Sequence, residues 1–90
     1  MLTNYTSELR VLKRTYREYE TLEKEFDEFG FYHLFYKDGE LEDIERFPTD
    51  LLIGKDVDAL QKLLVDYQAA LDKPILSWNK LINEIVCKKI

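Results

Sequence analysis

Ninety residues suffice for a single domain spanning 1–90, and apolar and aromatic shares of 46% and 13% are those of a folded chain rather than a disordered one. A net charge of −5 argues against a general binder of nucleic acid or of anionic membranes, which needs a basic face. The lone cysteine, Cys87, excludes an internal disulfide, and no run approaches the roughly 20 apolar residues of a membrane span, so a cytoplasmic setting is expected.

Along the chain, Leu2, Tyr5, Leu9, Leu12, Tyr16 and Tyr19 recur at alternating steps of three and four, and Leu22, Phe26 and Phe29 continue the series. That spacing predicts one long helix over residues 4–29, closed by Gly30. Phe31 to Tyr36 is dense in strand formers, and the Asp38-Gly39 pair that follows favours a two-residue hairpin turn. Residues 40–46 are then the returning strand, although apolar residues at 41, 44 and 47 fit a helical turn equally well.

After a loop through Pro48 and Gly54, Asp56 reads as the N-cap of a helix over 57–72, with Val57, Leu60, Leu64, Tyr67 and Leu71 as its apolar stripe. Pro74 suits the first turn of a last helix carrying Ile75, Trp78, Ile82 and Ile85. The expected fold is therefore α+β and mainly α: a long N-terminal helix, one β-hairpin, and a C-terminal helical hairpin.

Catalytic chemistry finds no support in this pattern, and no enzyme activity, cofactor or metal is expected. His33 and Cys87 are the only residues of their kinds, too few for a zinc site. His33 lies in an aromatic run, and Cys87 in a Val-Cys-Lys-Lys terminus without the turn that presents a nucleophile. The acidic segment around Gly39 lacks the spacing of a calcium loop, and three isolated glycines make no phosphate cradle.

Charge distribution says more. Residues 18–45 hold eleven acids against Lys24 and Lys37, a net of −9, whereas residues 1–17 are basic. On a helix over 4–29 this order opposes the macrodipole, which favours acids early and bases late. The leading expectation is a small acidic protein-binding module, an inhibitor of antitoxin or anti-defence kind, that covers a basic site on another protein; where that partner binds nucleic acid, the carboxylates would occupy its phosphate sites. Its contacts are expected at Glu20, Glu23, Asp27 and Glu28 on the helix and at Tyr32 and Tyr36 on the hairpin. Glu40, Glu42, Asp43 and Glu45 complete the surface. The alternative is a homodimeric assembly protein pairing through the long helix, with basic halves beside acidic ones. Neither reading involves direct contact with nucleic acid or a membrane.

Overall fold

The computed structural model describes residues 2–17, 24–49, 53 and 55–88. Where a long helix is expected, the chain forms two long strands. β1 spans Tyr5–Arg17 and β2 spans Glu25–Lys37. They pair antiparallel from Tyr5 opposite Lys37 to Arg17 opposite Glu25. Tyr5, Thr6, Val11, Thr15 and Tyr16 in β1 and the aromatic run of β2 are residues whose branched or planar side chains pack well on a pleated surface.

Asp38 (φ 51°) and Gly39 (φ 83°) make the tight turn into β3, Glu40–Ile44. Two successive residues with positive φ match the right-handed twist of paired strands. A register shift at Phe35 and Tyr36 interrupts the β2–β3 ladder. Beyond β3 the chain keeps following β2, since the amides of Glu45 and Thr49 donate to the carbonyls of His33 (3.0 Å) and Phe31 (2.7 Å). Helix α1, Val57–Leu71, begins where Asp56 accepts from the Ala59 amide at 2.8 Å. β4, Leu76–Ser77, runs parallel to β1 at Leu12 and Lys13, and α2, Trp78–Lys88, follows at once. The strands form one curled mixed sheet in the order β3-β2-β1-β4.

Each face of the sheet carries a helix. Leu12, Tyr32, Leu34 and Ile44 share one face and pack with Trp78 and Ile85 of α2 as the main core. Burial of each such side chain contributes about 1.5–3 kcal/mol. Phe31, His33, Leu9 and Val11 point the other way, toward α1, where Tyr67 meets the Phe31 ring edge-on at 4.6 Å and Ala70 is buried.

Several expectations are thereby corrected. The helix over 4–29 is replaced by β1 and the first part of β2, with residues 18–23 outside the described set. Homodimer pairing through that helix loses its basis. Gly30 ends no helix; it lies within β2, where an added Cβ would stand 2.9 Å from Pro48 Cβ. By contrast, the returning strand expected over 40–46 is present as β3, Glu40–Ile44. The last helix starts at Trp78 and not at Pro74, and α1 and α2 lie on opposite faces of the sheet instead of forming a helical hairpin. The fold is strand-rich, not mainly α.

Candidate functional site

The distal half of the β1–β2 ribbon is an arm. On β2, residues 25–29 are all exposed, including Phe26 (48%) and Phe29 (61%). Tyr16 lies directly across from Phe26, and the two rings stack at 5.3 Å. Large aromatic side chains with polar surroundings on a projecting ribbon give rigid contact area, the kind that anchors protein interfaces.

The two strands of the arm differ in charge: β1 carries Lys13, Arg14 and Arg17 and β2 carries Glu25, Asp27 and Glu28, with Arg14 opposite Glu28 and Arg17 opposite Glu25. The pairing is incomplete. Arg17 meets Glu25 at 3.4 Å, and Asp27 accepts from the Thr15 hydroxyl at 2.7 Å. Glu28 stands opposite Arg14, yet that guanidinium is turned to the Trp78 ring, 3.6 Å from its centroid, and donates to the Arg46 carbonyl at 2.6 Å. Among the described residues the Glu28 carboxylate has no ion-pair partner.

Other expected contacts lie elsewhere. Glu20 and Glu23 fall outside the described residues. Tyr32 and Tyr36 do share a face, but it is the face of the core. Tyr32 is 2% exposed, and Tyr36 is half-buried with its hydroxyl donating to Glu8 at 3.0 Å. Burial pushes both phenols above their usual pKa.

Glu40 and Glu42 line a hollow of about 230 Å³ together with Lys37 and Lys88, so their charge is diluted. Asp43 is bridged by Arg46 at 2.9 Å. Glu45 is committed to His33, accepting at one oxygen from both the backbone amide and the ring Nδ1, each at 2.6 Å. Along β2, Asp27 lies eight residues from Phe35, the position paired with Asp43, and ten from Lys37, paired with Glu40, about 26–33 Å of strand. The acidic block is thus two surfaces, of which the arm alone combines acids with exposed aromatic rings.

A second feature is a cleft of about 610 Å³ between α1 and the sheet, with Leu9, Leu63 and Tyr67 as its apolar part and His33, Asp66 and Lys73 at its polar rim. Lys73 is engaged by Glu8 at 2.7 Å, and that bond holds the Glu8 carboxyl below its usual pKa. His33 opens toward this cleft, whereas Cys87 belongs to α2 across the sheet, so the two do not form a nucleophile–base pair. Among the described residues, no group of three His, Cys, Asp or Glu side chains is placed to hold a metal, and no helix is long and apolar enough to cross a membrane.

Sequence reasoning missed the arm because it read Tyr16, Phe26 and Phe29 as parts of one helical seam. The β propensity of β1 was the available signal. The cleft had none, since its lining comes from separate segments brought together by folding. Compared with protein-family models, with curated proteins and with solved structures, the chain matches none.

Proposed function

We propose that the protein is a binding module that docks on a basic surface of another protein through the β1–β2 arm. The observation that carries this reading is the exposure of Phe26 and Phe29 on β2 beside Glu28, which has no ion-pair partner among the described residues. Aromatic rings would supply the buried contact, and Asp27 and Glu28 the steering and the selection of a cationic target. Inhibition of a nucleic-acid-binding partner fits this chemistry, since carboxylates on a rigid ribbon can occupy phosphate-binding positions. A reducing cytoplasm suits the exposed, unpaired Cys87.

The test compares two ends of the molecule. Arm variants Phe26→Ser with Phe29→Ser, and Asp27→Lys with Glu28→Lys, are used as bait in a lysate beside a control pair, Glu40→Lys with Glu42→Lys. The expected result is a basic partner retained by the wild type and the control but lost from both arm variants, with circular dichroism unchanged. Loss from the control and retention by the arm variants would refute the assignment.

A further inference from the structure

The two edges of the arm are treated differently. On the β1 side the edge is closed. Leu12 and Lys13 pair with β4, and at Thr15 the Asn79 side chain accepts from the backbone amide (2.8 Å) and donates to the carbonyl (3.1 Å). Those are the two bonds that a neighbouring strand would make, so Asn79 acts as a plug.

The β2 side is open. The carbonyls of Phe31 and His33 face away from β1, because they accept from Thr49 and Glu45. In an antiparallel ladder, outward-facing groups recur at every second residue. Glu25, Asp27 and Phe29 therefore turn their amides and carbonyls outward, and among the described residues none of these groups has a partner. An open edge is ordinarily a route to self-association. Here a second copy is a poor occupant: pairing antiparallel about Asp27 would set that carboxylate against its own counterpart.

We infer that the edge of β2 at residues 25–29 accepts an extended basic segment of the partner as an added strand. The inference rests on the arm being the docking surface and specifies how it docks. Glu25, Asp27 and Phe29 project from one face of the arm, Phe26 and Glu28 from the other. The fitting strand carries lysine or arginine beside Asp27 and Glu28 and apolar residues beside Phe26 and Phe29. Backbone bonds give the affinity, and the side chains on each face select the sequence.

The probe is a blocked heptapeptide containing the run Lys-Val-Lys-Lys-Val, which sets lysine beside Asp27 and Glu28 and valine beside Phe26 and Phe29, titrated into ¹⁵N-labelled protein. Two companions are a version N-methylated at the edge-facing amides and a version with glutamate for lysine. The lysine peptide is expected to shift and protect the amides of Glu25, Asp27 and Phe29. The N-methylated version binds about tenfold more weakly, as expected from two lost hydrogen bonds, and the glutamate version does not bind. Asp27→Pro, which removes an outward amide while sparing the ladder to β1, weakens binding more than Asp27→Asn does.

Equal binding of the N-methylated peptide overturns strand addition while leaving charge-guided docking through the arm intact. The same holds if the lysine peptide fails to bind at millimolar concentration although the arm variants still lose their partner. Protection of residues 25–29 in the free protein, accompanied by a doubled mass, overturns it in favour of a second copy. If Asp27→Pro does not fold, the peptide comparison on the unaltered protein decides.

Discussion

The Arg14 guanidinium lies over the Trp78 ring at 3.6 Å and ignores Glu28, the acid directly opposite it in the β1–β2 ladder. The contact joins β1 to the start of α2, and the Trp78 Nε1–H donates to the Glu45 carbonyl at 2.9 Å, extending the link to the end of β3. One stacked pair thus fastens three segments and frees a carboxylate for the exposed arm.

Replacing Arg14 with Met keeps the aliphatic stem and removes the charge, while Trp78→Phe keeps a ring and removes the indole donor. Each is expected to lower unfolding stability by about 1–3 kcal/mol in urea titrations, from the lost cation–π contact and lost hydrogen bonds. The double variant should fall short of the sum by about 1 kcal/mol, because the two residues share one interaction. Additive losses would show that Arg14 and Trp78 act separately.

Gly30→Ala tests a close approach. Alanine within a strand is ordinarily better than glycine by about 0.5–1 kcal/mol. Here the new methyl would fall 2.9 Å from Pro48 Cβ, an atom fixed to the backbone, with the Tyr32 ring at 3.4 Å on another side. Overpacking of this kind costs about 1–3 kcal/mol, so net destabilisation is expected as a lower urea midpoint. Pro48→Ala should not relieve it, since the offending Cβ remains. An unchanged or raised midpoint in Gly30→Ala would show that the segment at Pro48 yields freely.

These residues also explain what the sequence concealed. Val11 and Leu12 are adjacent and both buried, one toward α1 and the other toward α2. A strand covered on both faces loses the clean alternation that marks a half-buried one, and the remaining three-and-four spacing of Leu9, Leu12 and Tyr16 mimics a helix. The Asp38-Gly39 turn and the Asp56 cap were legible because each depends on local backbone chemistry alone. Of the expected contacts, Asp27 and Glu28 fall on the arm, whereas Tyr32 is core and Glu45 serves His33. Which of several acids is already engaged depends on partners distant in sequence, such as Trp78 for Arg14.

The Glu8–Lys73 bridge sets an acid dependence. The Lys73 hydrogen bond is the main cause of the lowered Glu8 pKa, and the Tyr36 hydroxyl adds to it. A depressed folded pKa means that the unfolded chain binds the proton more readily, so stability rises with pH across this window. The contribution is complete above the ordinary value of 4.5 and is lost as pH falls through the lowered value. Lys73→Gln should flatten the change in thermal midpoint across that interval, and Glu8→Gln should abolish it. An acid limb of equal steepness in both variants would place its origin elsewhere. Tyr32 predicts the opposite limb: burial raises its pKa above 10, so the stability that comes from keeping the phenol neutral is lost as pH rises through the raised value.

Asn79→Ala removes the plug at Thr15. The side chain is exposed, so each of the two lost bonds is worth about 1 kcal/mol or less in the isolated molecule, and only a slight drop in urea midpoint is expected. The larger effect concerns association. Without the amide, the β1 edge at Thr15 presents an unsatisfied donor and acceptor, flanked by the basic Lys13 and Arg17. The acidic β2 edge of another molecule is its electrostatic complement. Joining a β1 edge to a β2 edge is a head-to-tail contact that leaves a free edge at each end, so growth need not stop at two copies. Light scattering should therefore show a mass that rises with concentration in Asn79→Ala and a constant mass in the wild type. Added salt should reverse the growth, because the edges attract through exposed charges. Asp27→Lys placed in the same chain should suppress it by removing the acidic complement. A constant mass for Asn79→Ala at every concentration would show that Asn79 is not what keeps this edge closed.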